Sequence, residues 1–424
     1  MSVEFARVPL AQLSIGTVLT SPIFDPDQSN AKLLGKDVEI DANFLAKLEA
    51  RGIHDVVVSK RDLAAIHSGT PQGVLRKTKD HSYSTSPKVT ALSREVDSEI
   101  KAVDFSTEAA DNQVQRLGEQ RTDRYDEDHM SLEVKRREKQ VEYVDDLFGK
   151  LVQGAGANTD ELTDVCRQSV RSVVSDKDLF LCLGLNPFDA DYPARHSLHV
   201  STVAVAIGVV MGLDDDSLAD LGTGCLIHDV GMLKLDKGLY KAKRRLTAHE
   251  LTVLAEHPIL TLDALACPGA RISRVARIVA YQIHERCNGT GYPRGRTGDE
   301  IHGLAKIAAV ADAYVGLVSN RSHRRGMLPY FAIEKILRDI PSGLYDQKAV
   351  RGLLNSMSLY PIGSFVEMDS GQIGRVVRSM GDNYMSPIVE LWNAKHQEFE
   401  PDLLNLSAES DRRVVRAVPS PMAA

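Results

Sequence analysis

Cys225-Leu226-Ile227-His228-Asp229-Val230-Gly231 closes a run of small and apolar residues with an imidazole beside a carboxylate, and Gly231 is a suitable stop for the helix that the run predicts. Neutral imidazole nitrogen together with carboxylate oxygen suits Zn, Mn, Fe or Ni, whereas a calcium site would be all oxygen. A His-Asp dipeptide arises by chance in many proteins, so its meaning depends on its surroundings. Upstream, His196 opens a segment in which His196, Val200, Val203, Ala204 and Ile207 recur at helical spacing, so the imidazole shares a face with core residues. Downstream, His257 follows an acidic helix opened by Thr247 with Glu250 at capping-box spacing, and is expected near that helix's C-terminal end.

Further along, His284-Glu285 leads into the loop Asn288-Gly289-Thr290-Gly291-Tyr292-Pro293-Arg294-Gly295-Arg296. Asp312 then interrupts the apolar run Ile307-Ala308-Ala309-Val310-Ala311. A buried carboxylate without a partner is costly, so something cationic should meet Asp312. Eight of the thirteen histidines fall between His196 and His323, and their concentration in apolar helical text reads as a metal site built from helices. His199, His249, His302 and His323 are read as ordinary hydrogen-bonded core residues. The loop glycines let backbone approach a ligand closely while Pro293 stiffens the turn. Arg294, Arg321 and Arg324 are candidates to clamp phosphate, since guanidinium presents several donors to anionic oxygens. The run Asn320 to Arg325 reads equally well as a solvated basic turn.

From about Asp191 to Leu344 the chain resembles an HD-GYP domain, the bacterial branch of the HD phosphohydrolase superfamily that cleaves cyclic di-GMP. The resemblance rests on His196-Ser197-x-x-Val200, Leu226-Ile227-His228-Asp229-Val230-Gly231, Glu256-His257-Pro258, His284-Glu285-Arg286-x-x-Gly289-x-Gly291-Tyr292-Pro293 and Ala311-Asp312-Ala313. It implies that His196, His228, Asp229 and Asp312 hold one divalent transition metal, and that Asp229 bridges to a second held by His257 and His284. Fe, Mn, Ni or Zn fits such a set. Two metals of this kind lower the pKa of water and neutralise a phosphodiester during in-line attack. The implied reaction is hydrolysis of cyclic di-GMP to the linear dinucleotide, to GMP, or both. Asp229 is then catalytic as well as a ligand, and Glu285 is read as a catalytic neighbour that fixes a ligand or water. Gly291, Tyr292, Pro293, Arg294, Arg321 and Arg324 form the implied substrate-binding set.

Three positions depart from the family pattern. Most members carry Lys one residue after the Gly of the His-Asp motif, where this chain has Met232; Lys234, two residues on, is a candidate substitute. Most have two histidines before the Glu, where this chain reads Ile283-His284-Glu285. Tyr192 stands where some three-metal members place a Glu ligand. These changes keep a second reading open, in which the domain is a cyclic di-GMP receptor or protein-interaction module with little turnover.

The 424 residues leave room for two or three domains around this core. Residues 1–66 read as a small α+β module, with strands about Leu33-Leu34 and Val56-Val57-Val58 and a helix from about Ala42 to Ala50. Residues 67–126 turn polar and read as a linker. The helical catalytic region is expected over 127–345, entered by an amphipathic helix from Met130 to Val152 that is a candidate for pairing two subunits. A helix and a small β module follow over 346–406, with strands around Phe365, Ile373 and Pro387 to Trp392, and 407–424 reads as a loose tail. The fold class is mainly α, with small β-containing modules at either end that could carry a protein partner.

Charge and composition narrow the function classes further. A net charge of −7 argues against bulk nucleic-acid binding. Five cysteines without paired spacing argue against a disulfide framework. The opening Met-Ser-Val-Glu-Phe-Ala-Arg has no apolar signal region, and no apolar run reaches the about 18 residues of a membrane helix, so a cytoplasmic protein without membrane insertion is expected.

Overall fold

The computed structural model describes residues 5–9, 13, 19–26, 32–35, 38, 40, 44, 48, 53, 55–62, 121–155, 159–183, 192–242, 244, 246–320, 326–381, 383–408 and 411–421. The chain divides into two compact units, Met1–Tyr83 with Thr247–Thr252, and Ser84–Leu246 with Val253–Ala424. The linker expected over 67–126 lies outside the described residues as far as 120.

In the first unit, β1 (Phe5–Pro9), β2 (Ile23–Phe24), β3 (Lys32–Leu34) and β4 (Asp55–Ser59) form an antiparallel sheet in the order β1-β4-β2-β3. Within β4 the period-two pattern buries Val56 and Val58, which join Val8, Ile23, Ile40 and Leu48 in a small core. Asp62 ties the sheet's end to the chain before β2 by accepting from the Thr20 amide and hydroxyl and from the Ser21 amide. Of the helix expected from Ala42 to Ala50, only Phe44 and Leu48 fall within the described residues.

The second unit begins with α1 (Glu127–Gln153), α2 (Asp160–Ser175) and α3 (Lys177–Leu183). Val141, Val144, Leu147, Phe148 and Leu151 of α1 turn inward at helical spacing, while Leu132 and Val134 nearer its start stay exposed. The central element is α4 (Ala194–Val210), buried along nearly its whole length, with small and apolar residues such as Val203, Ala204, Val205, Ala206 and Ile207 on every side of its later turns. Against it pack α1, α2, α5 (Asp215–Ile227) and two later helices. The remaining helices are α6 (Lys237–Tyr240), α7 (Ala248–Leu254, whose residues as far as Thr252 count with the first unit), α8 (His257–Leu265), α9 (Arg274–Gln282), α10 (Gly303–Val318), α11 (Pro329–Asp339) and α12 (Gln347–Met357), of which α10 and α12 close the core around α4. Side-chain oxygens start several of them. Asp214 caps α5, Ser273 caps α9 and Asp346 caps α12, each accepting from a first-turn amide. No helix of the described residues is long and apolar enough to cross a membrane.

After α12 the chain forms a five-stranded antiparallel sheet from β5 (Phe365–Met368), β6 (Ile373–Arg378), β7 (Ile388–Asn393), β8 (Glu398–Asn405) and β9 (Val414–Val418), in the order β8-β7-β6-β5-β9. The tail expected to be loose from 407 is therefore corrected: β9 pairs with β5, Phe365 opposite Val418, and buries Val414 in the module's core. Its short apolar run follows the charged Asp411-Arg412-Arg413, which hid it from a pattern reading. The strand β8 carries Pro401 and lies at the sheet edge, where a residue without an amide proton costs no ladder bond. Buried ionic contacts fasten the sheet to the helices. Arg378 makes two bonds to Asp176 at 2.7 and 2.8 Å, and Asp178 accepts from the Ser379 amide and hydroxyl.

Candidate metal centre

Four separate elements converge on one buried carboxylate. The helix α5 ends at Ile227; His228 keeps helical dihedrals and Asp229 turns out of the helix into a short 3-10 segment, Val230–Lys234. The turn is locked onto α8 by Thr261, whose hydroxyl donates to the His228 carbonyl at 2.8 Å and accepts from the Gly231 amide at 3.0 Å. Only glycine fits at 231, because a Cβ there would lie 2.2 Å from the His257 carbonyl oxygen and 2.5 Å from the Thr261 nitrogen. Sequence reading missed Thr261, which carries no pattern of its own. Placed by this packing, His257 opens α8 rather than ending α7, although the Thr247–Glu250 cap expected for α7 is present.

The tautomers follow from the carbonyls. His228 Nδ1 donates to the Cys225 carbonyl at 2.7 Å and His257 Nδ1 to the Leu254 carbonyl at 2.8 Å. In a neutral ring this leaves Nε2 as a lone pair. Those two Nε2 atoms point at Asp229 Oδ1 from 3.2 and 3.3 Å, and His284 Nε2 lies 3.9 Å from it. All four atoms are buried and none has a hydrogen-bond partner. Lone pairs do not gather round a carboxylate oxygen unless a cation compensates them. The second carboxylate, Asp312 on α10, sits 3.2 Å from His196 Nε2 and 3.2 Å from His284 Nδ1, so the partner expected for it is there.

Protonation agrees with a ligand set. Burial pushes His228 down to about 4, against the pull of Asp229 and Asp312, and also lowers His257. Burial alone would raise Asp229 and Asp312, yet the surrounding imidazoles hold both well below the carboxylate range. For His284 burial is outweighed by Asp312 and Asp229, which raise it to about 9. The donors form two overlapping buried triads, His196-His228-Asp312 and His228-Asp229-His284, with ligand atoms within 4.8 Å of one another in each. His228 and His257 as neutral imidazoles, with Asp229 and Asp312 ionised, fit a divalent transition metal, which would take the place of the proton that the two carboxylates otherwise hold on His284.

The glycine-rich loop covers the cluster. Gly291 packs onto the backbone of His284 to Arg286, where a Cβ would lie 2.3 Å from the Arg286 nitrogen, and the Tyr292 amide donates to the His284 carbonyl at 3.2 Å. This seats the Tyr292 ring on the His284 ring at 4.8 Å between centroids, 21° from parallel, with its edge toward His257. Pro293 is buried behind it. Both oxygens of Glu285 are turned into this loop, accepting from the Arg294 and Arg296 amides at 2.8 and 2.9 Å. Glu285 is thus a buried anchor of the loop, neither a solvated carboxylate nor a direct neighbour of the donor cluster. Arg294 is exposed, with its Nε donating to the Tyr281 hydroxyl at 3.0 Å. Arg321 and Arg324 lie outside the described residues, as does His323. Two histidines set aside from the site are accounted for by structure: His302 caps α10, accepting from the Leu304 amide, and His249 is exposed.

Known proteins resemble the chain over the region that carries this geometry. The family profile described as HD domain (HD_5) matches residues 181–349. The chain is 26% identical over 250 residues to cyclic di-GMP phosphodiesterase PA4108 of Pseudomonas aeruginosa, which covers 58% of this chain and 59% of that one. It is 25% identical over 188 residues to cyclic di-GMP phosphodiesterase PdeB of Borreliella burgdorferi, covering 44% of this chain and 49% of that one. Residues 181–349 match an HD domain, and the chain is similar to cyclic di-GMP phosphodiesterases over that region. It spans about half the length of the curated relatives it matches. Among solved structures, Bd1817, an HDG"Y"P protein from Bdellovibrio bacteriovorus, aligns with a TM-score of 0.44 at 14% identity over 82% of this chain and 98% of that one.

The HD-GYP departures have definite surroundings. Met232 is buried, and Lys234, the candidate substitute for the missing lysine, forms an ion pair with Asp263 of α8 instead. Ile283 is fully buried in the same apolar core as Val279, Leu304 and Ile307. Tyr192 donates from its hydroxyl to Asp229 Oδ2 at 3.0 Å, which holds the carboxylate's second oxygen while Oδ1 faces the imidazoles. Replacing Tyr192 by phenylalanine is expected to weaken metal binding by about 10- to 100-fold, the usual cost of losing a hydrogen bond that orients a ligand. Competition with a chromogenic chelator measures it; an unchanged affinity would reduce Tyr192 to a packing residue.

Proposed function

We propose that this HD-GYP domain is a metal-dependent phosphodiesterase that hydrolyses cyclic di-GMP to the linear dinucleotide, to GMP, or both, in bacterial second-messenger signalling. The observation that carries this reading is the convergence of unpartnered His228, His257 and His284 Nε2 atoms on Asp229 Oδ1. On it, His196, His228, Asp229 and Asp312 hold one divalent metal, and Asp229, His257 and His284 a second, with Fe, Mn, Ni or Zn suiting the donors. When bound, such metals supply Lewis acidity, generating hydroxide near neutral pH and neutralising phosphodiester charge.

The chain's own residues supply position. Tyr192 fixes the Asp229 carboxylate, and the two backbone carbonyls of Cys225 and Leu254 fix the tautomers of His228 and His257. Tyr292 shields the face of His284 from water, and Glu285 holds the loop that carries Tyr292 and Arg294. Arg294, Arg321 and Arg324 are the proposed phosphate contacts, with Gly291 and Pro293 shaping the approach. Metal-replete protein incubated with cyclic di-GMP, with substrate, linear product and GMP followed together, tests the proposal.

The buried Met232 and the diverted Lys234 favour a second reading, a receptor that binds cyclic di-GMP without useful turnover. Tight binding with no product at full metal loading would establish that reading in place of the enzyme. For the enzyme, Met232→Lys is expected to raise turnover about ten-fold, since one added cation near the developing phosphate charge is worth at least about 1.4 kcal/mol of barrier. Met232→Leu, which keeps the position apolar, should leave the rate near wild type.

A further inference from the structure

The donor cluster is open on one side. His228 and His257 are fully buried, whereas His196, His284 and Asp312 retain 8, 8 and 9% exposure. A ligand reaches the cluster past those three residues, and an aromatic ring stands beside each of the two histidines: Tyr292 on His284, and Tyr192 on His196 at 5.7 Å between centroids. Both tyrosines are partly exposed. On the Tyr192 side a further ring continues the row. Tyr240, the last residue of α6, lies 6.0 Å from Tyr192 between centroids, with the planes at 42°, and is itself partly exposed.

The setting of Tyr240 is anion-attracting. From Lys237 to Arg245 the chain carries five basic residues, Lys237, Lys241, Lys243, Arg244 and Arg245, and no acidic one. Lys237 and Lys241 are exposed, and neither forms an ion pair among the described residues. Lys237 stands three residues before Tyr240 and so shares its helix face. The start of α6 is fixed by Asp236, whose side chain accepts from the Gly238 amide at 2.6 Å. Two ring-to-ring steps separate Tyr240 from His196, comparable with the span from a nucleotide's phosphate to the far edge of its base.

We infer that Tyr240 stacks the purine base of a nucleotide whose phosphate lies at the metal centre, and that Lys237 and Lys241 draw the anion toward it. Every base presents a π-face, so a partly exposed ring at this position adds affinity for nucleotides over other phosphate esters. With Tyr240 and Tyr292 at opposite ends of the row and the donors between them, the arrangement suits a dinucleotide, whose bases lie on either side of its phosphates. The inference rests on the reading of the donor cluster as a phosphate-binding metal centre, and holds whether that centre turns its ligand over or only binds it.

Titration of the metal-loaded full chain with cyclic di-GMP, with GMP and with ribose phosphate, which carries phosphate without a base, tests this in wild type, Tyr240→Leu and Tyr240→Phe. Leucine keeps apolar bulk against Tyr192 and removes the ring; phenylalanine keeps the ring. Tyr240→Leu is expected to weaken GMP and cyclic di-GMP roughly ten-fold, the usual worth of one base stacked on an aromatic ring. For a protein that hydrolyses cyclic di-GMP the loss should appear in KM with kcat preserved. Ribose phosphate affinity, metal content and melting temperature should stay at wild-type values, and Tyr240→Phe should bind all three ligands like wild type. Nucleotide affinity unchanged in Tyr240→Leu would overturn the inference, as would an equal loss of ribose phosphate, which would make Tyr240 a support for Tyr192 alone. Wild type that binds GMP through Tyr240 but not cyclic di-GMP would uphold the role of Tyr240 and remove cyclic di-GMP as the substrate. Wild type that binds neither nucleotide better than ribose phosphate would overturn both.

Discussion

Alanine at Asp229 is expected to strip most of the metal from the purified protein and to lower phosphodiester turnover by about a thousandfold or more, the several kcal/mol that Lewis-acid stabilisation contributes. The magnitude follows from where Oδ1 sits: three imidazole nitrogens approach it, at 3.2, 3.3 and 3.9 Å, and no other group answers them. Without the carboxylate, Asp312 is the remaining anion of the cluster, and it is drawn toward His196 and His284 rather than His228 and His257. Asn at the same position separates charge from shape. Its amide oxygen can still accept from Tyr192, so an Asp229→Asn protein that folds like wild type yet holds little metal would locate the effect in the lost charge. Metal analysis of both variants, after reconstitution with Mn, Fe, Ni or Zn, makes the measurement. Full metal content in Asp229→Ala would remove the central claim about this site.

Most of the donor set was legible in the sequence because burying polar side chains leaves a mark. His196 on a core face and Asp312 inside an apolar run are expensive without partners, and the structure supplies partners for both in each other. The His228-Asp229 pair was legible for the same reason, with α5 ending just before it. Less legible was anything decided by backbone contact. His257 was expected at the end of one helix and opens the next, because Glu256 to Pro258 starts a new element that period alone does not separate. Thr261 and Tyr192 act through individual hydrogen bonds, which leave no periodicity. Among the flanking elements, β9 was lost to its short length and charged approach, whereas the long periodic stripe of α1 was plain.

Gly291→Ala is expected to destabilise the loop by about 3 kcal/mol or more and to weaken metal binding with it, because the added methyl meets backbone on three sides and cannot rotate away. The atoms in its path are the Arg286 nitrogen at 2.3 Å and the Glu285 Cα and His284 carbonyl oxygen at 2.5 Å each. Relief requires the loop to lift, which takes Tyr292 off the His284 ring and breaks the Tyr292 amide bond to the His284 carbonyl. Glu285→Gln attacks the same loop from the other side. An amide offers one acceptor oxygen and turns a donor toward the second of the Arg294 and Arg296 amides, for an expected loss of about 1–3 kcal/mol. If both residues serve one structure, their effects should not add: once Gly291→Ala has lifted the loop, Glu285 has nothing left to hold, and the double variant should be little worse than Gly291→Ala alone. Denaturant titration of the four proteins, with hydrogen exchange followed over residues 288–297, measures the coupling. Additive losses would mean that Glu285 and Gly291 act on separate structures, and that the seat of Tyr292 on His284 does not depend on the carboxylate beneath it.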